Sequence, residues 1–197
     1  MSPQAARSTQ KFSSAPVLET ERLVLRGFRP EDLEDHAATL GNPAVTRYLT
    51  DEPMSREDAW RRLMMAVGQW PLLGFGYWAV VLKESGRVVG HCGFADMQRA
   101  MEPDISGEPE MGWIFDPSVH GHGVAFEACA AALDWVQSIH PESQTTWVAG
   151  VSFGALIGMQ LLMRRPEIRG FISIAPPANM YDFSFLAPCP ASGIFIQ

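Results

Sequence analysis

Two glycine-punctuated turns, each opening an apolar helix, constrain this chain more than any other feature. Residues 120–125 read His-Gly-His-Gly-Val-Ala and lead into a long apolar-faced stretch, Val124–Ile139, ended by Pro141. Residues 150–154 read Gly-Val-Ser-Phe-Gly, between a short apolar run, Thr146–Val151, and a small-residue stretch, Phe153–Arg164, closed by Pro166. Strand, glycine turn and helix in succession is a layered α–β arrangement, which excludes an all-helical or all-strand fold.

The remaining patterning fills in that arrangement. Leu18–Phe28 alternates as a strand, with Leu23 and Leu25 on one face and Arg22, Val24 and Arg26 on the other. Pro30 starts a helix with Glu31 and Asp32 in its first turn and Gly41 just past its end. Ser55 is placed to cap a second helix, in which Trp60, Leu63, Met64 and Val67 follow at helical spacing. Phe75–Leu82 and Arg87–Phe94 form a hairpin about Lys83-Glu84-Ser85-Gly86. Met97–Gly107 is polar and reads as a loop, and Glu108–Phe115 as a further strand turning at Asp116-Pro117-Ser118. Arg169–Ala175 is a buried strand, residues 176–192 are irregular, and Gly193–Gln197 is a last strand. The order predicts an α+β fold. An antiparallel N-terminal meander and a parallel strand–helix–strand C-terminal part form a mixed sheet, with helices on both faces.

Bulk properties exclude several classes. The formal charge of −7 argues against nucleic acid or an anionic membrane as the main partner. Cys92, Cys129 and Cys189 form no Cys-x-x-Cys pair, so neither a disulfide framework nor a metal site is expected, and a reducing cytoplasm fits. Residues 1–17 are rich in Ser, Ala and Gln without an apolar stretch, and are expected to be a disordered tail rather than a signal peptide. The longest apolar run, Ala155–Met163, is too short to span a bilayer.

The first glycine turn suits a phosphate. A helix N-terminus offers N–H groups that lack internal acceptors, and its dipole favours an anion. Gly121 and Gly123 remove side chains that would block close approach, and Ala125 is small for the same reason. Two glycines before a helix are also an ordinary tight turn, so the context of strand before and helix after carries the weight.

Specific residues extend this. Leu18-Glu19-Thr20-Glu21-Arg22-Leu23-Val24-Leu25-Arg26, Pro30-Glu31-Asp32, Val88-Val89-Gly90 and Glu110-Met111-Gly112-Trp113 occur in order before the loop. With His120 to Ala125, they make residues 18–136 resemble the GNAT N-acetyltransferase superfamily, in the branch of ribosomal-protein and amino-acid N-acetyltransferases. The resemblance implies acetyl-CoA as co-substrate, with its pyrophosphate on His120, Gly121, His122, Gly123, Val124 and Ala125. It implies backbone groups of Ile114 and Phe115 along the pantetheine arm, and Glu110 as the base that takes the amine proton. His120 departs from the Gln or Arg usual in the family, which lowers the positive charge offered to phosphate. His91 is a further candidate base.

The second turn has the form of a nucleophile elbow, Gly-x-Ser-x-Gly between strand and helix, with Ser152 as nucleophile. Ala149-Gly150-Val151-Ser152-Phe153-Gly154, Arg164-Arg165-Pro166-Glu167, Ile174-Ala175-Pro176-Pro177 and Tyr181-Asp182-Phe183-Ser184 make residues 132–197 resemble an internal piece of a dienelactone-hydrolase-like α/β-hydrolase. The superfamily order is Ser, acid, His, yet His140 is the last histidine and only Glu167 and Asp182 follow as carboxylates. Without a base, Ser152 is a weak nucleophile.

The two resemblances overlap at Ala131-Ala132-Leu133-Asp134-Trp135-Val136, as in a chimera joined within one helix. The expected domain is a single GNAT-like unit over 18–197, GNAT-derived over 18–136 and hydrolase-like over 137–197. The expected activity is acetyl transfer from acetyl-CoA to a primary amine, on a small molecule or a protein N-terminus, weakened by the replaced C-terminal third. Serine hydrolysis at Ser152, or a folded chimera without activity, are the alternatives. A homodimer is left open.

Overall fold

The computed structural model describes residues 12–46, 50, 52–98, 100, 109–139, 146–151 and 153–196. The chain divides into two compact units between Leu133 and Asp134. No helix among the described residues is long and apolar enough to cross a membrane.

The first unit is an antiparallel sheet with helices. Its strands are β1 (Leu18–Glu19), β2 (Leu23–Arg26), β3 (Tyr77–Leu82), β4 (Val88–Ala95) and β5 (Glu110–Phe115), in the spatial order β1-β2-β3-β4-β5. The stretch expected as one strand over Leu18–Phe28 is instead folded back on itself, with Leu18 opposite Leu25 and Glu19 opposite Val24. Thr20 makes the reversal: its N–H donates to the Leu23 carbonyl at 3.0 Å and its Oγ1 accepts from the Leu23 N–H at 3.0 Å. A short polar residue bonding its own backbone competes with a continuing strand. The alternation survives in β2, where Leu23 and Leu25 are fully buried.

Pro30 opens a 3-10 turn, Pro30–Asp32, that runs into α1 (Leu33–Leu40). Asp32 is buried there, accepting from Arg26 Nη1 and Nη2 at 2.7 Å each and from the Arg29 N–H at 2.8 Å. A buried carboxylate survives only when so satisfied. The short α2 (Pro43–Thr46) precedes α3 (Arg56–Leu73). Ser55 caps α3 as expected, in a reciprocal box with Asp58. The seam that α3 buries differs from the spacing expected of Trp60, Leu63, Met64 and Val67. It runs through Ala59, Leu63, Ala66 and Trp70, while Trp60, Met64 and Val67 stay exposed. Alanines let the helix approach closely, and Trp70 anchors it by donating from Nε1 to the Tyr77 carbonyl at 3.1 Å.

The β3–β4 hairpin closes at Gly86, in register except for an irregularity between Val80 and Val81. After β5, a 3-10 turn (Pro117–Val119) leads to α4 (Val124–Ile139), which begins in this unit and ends in the next.

The second unit is a parallel sheet in the order β6-β7-β8, with β6 Thr146–Val151, β7 Ile168–Ile174 and β8 Ser192–Ile196. Helix α5 (Phe153–Arg164) makes the β6–β7 crossover and buries Ala155, Leu156, Ile157, Met159, Leu161 and Leu162. Arg165, just past α5, pairs with Asp134 of α4 and with Glu167, and donates to Gln137 Oε1 at 3.2 Å. The mixed α+β class, with an antiparallel meander followed by parallel strand–helix–strand, is as expected, and its strands fall in two sheets.

Candidate functional site

The glycine loop begins where β5 ends. Among the described residues β5 is the last strand of its sheet, paired along one edge to β4. Backbone groups alternate between the edges of an antiparallel strand. Asp116 N–H donates to the Val89 carbonyl at 2.8 Å, which assigns the parity. Ile114, opposite His91, therefore turns its N–H and C=O into β4, while Phe115 and Trp113 turn theirs to the outer edge. Of the two backbone candidates on this strand, Phe115 faces the outer edge and Ile114 the ladder.

The Phe115 carbonyl lies 3.0 Å from His120 Nε2, so a protonated Nε2 donates to the strand end. His120 is thereby turned back onto β5, and its own N–H is bonded to the Pro117 carbonyl at 3.1 Å. Asp116 caps the intervening turn, accepting from the Ser118 N–H at 2.9 Å. Burial by itself would raise the Asp116 carboxyl, but the Ser118 bonds and the charge of Arg87 outweigh it and hold it below its ordinary value.

Gly121 and Gly123 have φ of +75° and +73°, the left-handed region that other residues enter at a cost. A Cβ on Gly121 would meet nothing within 4 Å, and one on Gly123 would meet Arg22 Nη2 at 3.7 Å. Backbone conformation, not local crowding, requires these glycines, and the space they leave is open. Val124 is buried and Ala125 half-buried at the first turn of α4. The loop can thus take an anion on backbone N–H groups beside the outer edge of β5.

A salt bridge that sequence reading leaves out of the site ties this loop to the β1–β2 turn. Arg22 Nε donates to Glu127 Oε2 at 2.7 Å, and Arg22 Nη1 donates to the His122 carbonyl at 2.9 Å. Thr20 Oγ1 donates to Glu127 Oε1 at 2.5 Å, and the Arg22 N–H donates to the same oxygen at 3.0 Å. Burial alone would raise the Glu127 carboxyl, yet the bonds from Thr20 and Arg22 bring it below its ordinary value. These partners lie 100 to 107 residues apart, so no local pattern announces them.

Glu110 stands half-buried at the other end of β5, opposite Ala95. Phe115 stands five residues further along the strand, roughly 17 Å away. Any base for an acyl group must stand well away from the pyrophosphate site, because the pantetheine arm lies between them. His91 is buried on β4 against His36, with ring centroids 5.3 Å apart, and against Tyr77 at 5.4 Å. Burial, then the neighbouring His36 and Arg62, pull the His91 imidazole down to about 3, which leaves it a poor proton acceptor.

Ser152 lies outside the described residues. Its neighbours have the form an elbow needs: β6 ends at Val151, α5 begins at Phe153, and a Cβ on Gly150 would lie 2.4 Å from the Gly154 carbonyl oxygen. Only glycine allows that approach. A histidine to activate the serine does not follow in the sequence.

Comparisons with known proteins find similarity of two kinds. The family model described as an acetyltransferase (GNAT) domain matches residues 22–172. It thus extends past Val136 through β6 and α5 into β7. A GNAT-family acetyltransferase structure from Bordetella pertussis is 26% identical, covering 62% of this chain and 72% of that one, with a TM-score of 0.54. A separate segment matches a protein described as an α/β hydrolase from Agrobacterium tumefaciens, 70% identical over 39% of this chain and 34% of that one, with a TM-score of 0.36. An uncharacterised protein of Rickettsia prowazekii is 53% identical over 81 residues, 40% of this chain and 34% of its own length. The chain therefore spans about a third of the length of the Agrobacterium and Rickettsia proteins. With the family match covering most of its length, the chain belongs to the GNAT acetyltransferase domain family.

Proposed function

We propose that this chain transfers an acetyl group from acetyl-CoA to a primary amine, on a small molecule or a protein N-terminus. The observation that supports this most is the succession of a sheet-edge strand among the described residues, a two-glycine loop and the α4 N-terminus in a chain of this family. In this reading His120 to Ala125 hold the pyrophosphate, and the outer edge of β5 at Phe115 aligns the pantetheine arm. Glu110 removes a proton from the amine. The neutral nitrogen attacks the thioester carbonyl carbon, an N–C bond forms, the C–S bond breaks, and the thiolate leaves, taking up the proton that the acylated nitrogen gives up. The site works within residues 18–197 acting as one acetyltransferase domain in a reducing cytoplasm, where the three cysteines, all free, stay thiols.

A thermal melt with and without acetyl-CoA tests the reading. Ligand at about 100 times its dissociation constant adds about 2.7 kcal/mol to a folded binder, or roughly 2–4 °C at this size. The shift is expected in the natural chain and is lost in Gly123→Trp. No shift in the natural chain overturns the proposal.

The close Gly150–Gly154 approach favours serine hydrolysis as the second reading. Labelling of Ser152 by a fluorophosphonate is its test, and an unlabelled serine removes it.

A further inference from the structure

Resting on the acyl-CoA reading above, we infer that Arg22 is a positioning residue for the glycine loop, acting through the peptide units on either side of Gly123. The first unit, His122–Gly123, has its carbonyl held by Arg22 Nη1 at 2.9 Å. The second, Gly123–Val124, has its carbonyl held by the Glu127 N–H at 3.0 Å. The Glu127 side chain in turn fixes the guanidinium through Nε at 2.7 Å and Nη2 at 2.6 Å. The ion pair therefore pins the first plane, and the backbone of α4 at the same Glu127 pins the second.

A trans peptide sets its N–H opposite its C=O. Holding the His122 carbonyl against Arg22 turns the Gly123 N–H away from the guanidinium. Holding the Gly123 carbonyl along α4 sends the Val124 N–H out of the helix end. Neither N–H has a backbone acceptor among the described residues. Gly123, at φ +73°, is one of the two glycine links of this loop, and an unpinned glycine would spread these donors over many directions. Orienting donors in advance removes an ordering cost from binding.

Charge alone does not account for the arrangement. Glu127 neutralises Arg22, so the pair adds little net attraction for phosphate. Its planar, three-way geometry is what lysine lacks. His120 does not substitute, because its Nε2 is directed to Phe115.

The experiment measures acetyl-CoA binding by calorimetry on the full chain and on Arg22→Met, Arg22→Lys and Glu127→Gln, with steady-state kinetics and melts on each. Arg22→Met is expected to weaken binding by about tenfold or more, the worth of one charged hydrogen bond. KM for acetyl-CoA rises while kcat stays within about twofold, as for lost ground-state and transition-state binding alike. Arg22→Lys does not restore affinity, and a loss persists at high salt, where the repulsion from the unpaired Glu127 carboxylate is screened. If Arg22→Met does not fold, Glu127→Gln carries the test, with a several-fold loss expected. Glycine-labelled amide spectra of the ligand-free variants should show the Gly123 resonance moved while core resonances stay. Wild-type affinity in a variant that merely melts earlier overturns the inference and leaves the acyl-CoA reading intact. Rescue by lysine, or a loss abolished by salt, also overturns it, in favour of direct charge contact. Absence of binding in the natural chain defeats both readings at once.

Discussion

The glycine loop before α4 and the serine turn before α5 are assembled from the same parts, a strand, a turn with two glycines and an apolar helix. They differ in what reaches them from elsewhere. The loop is gripped by Thr20 and Arg22 from the β1–β2 turn, through contacts that cross at least 100 residues of chain. The serine turn has the close glycine contact it needs but no histidine after it in sequence. A turn supplies a local backbone shape, and chemistry then depends on distant groups being delivered to it. The two units differ in the same sense in their cores. Strand β4 is buried along its whole length, whereas Trp147, Ile194 and Phe195 of the parallel sheet are exposed.

That contrast in cores should give the largest effects. Trp78, fully buried and donating from Nε1 to the Pro16 carbonyl at 2.8 Å, is expected to cost about 3–5 kcal/mol when replaced by alanine. Ile194→Ala, at a residue 55% exposed, should cost no more than about 0.5 kcal/mol. Urea unfolding of the two variants compares them, and equal losses would erase the distinction.

Acid should act on the first unit through its buried imidazoles. Burial first, then the charge of Arg62, pull His36 from 6.5 to about 4, and His91 lies lower still, at about 3. Among the described residues neither His36 ring nitrogen, nor His91 Nδ1, has a hydrogen-bond partner. The unfolded chain therefore binds protons that the folded chain does not. Stability is full above the unfolded value of 6.5 and falls as pH drops from there towards 4. The slope is on the order of 1 kcal/mol per pH unit for each ring. Urea midpoints at pH 7, 6 and 5 should decline, and more gently in His36→Phe. A flat profile in the natural chain would contradict the burial argument.

Effects on the loop should be smaller in stability and larger in binding. Gly123→Ala forces a side chain to φ +73° and should cost about 1–2 kcal/mol in folding. It should also weaken acetyl-CoA binding, which calorimetry reads directly. Smallest of all, Ser152→Ala should leave acetyl transfer unchanged. A loss of transfer in that variant would show that the second turn takes part after all.

Much of this architecture was legible in the residues. Periodicity and punctuation placed α4 at Val124–Ile139, β6 at Thr146–Val151 and α5 at Phe153–Arg164, and the structure has the same bounds. These elements are long or sharply bounded, so local preference and tertiary packing agree. Where they compete, the pattern misleads. Thr20 bonds its own backbone and splits the first strand. Helix α3 buries the seam with alanines rather than the one with Trp60 and Met64, because close approach to the sheet favours small residues.

Residue pattern alone sufficed for most local shapes: the helices α4 and α5, the strand β6 and the two glycine turns. Three-dimensional packing was needed to show which backbone edge of β5 faces β4, that His120 turns back to Phe115, and that Arg22 and Glu127 hold the loop. The difference is one of range. Backbone preference is set by neighbours along the chain, while hydrogen-bond partners and register are set by neighbours in space.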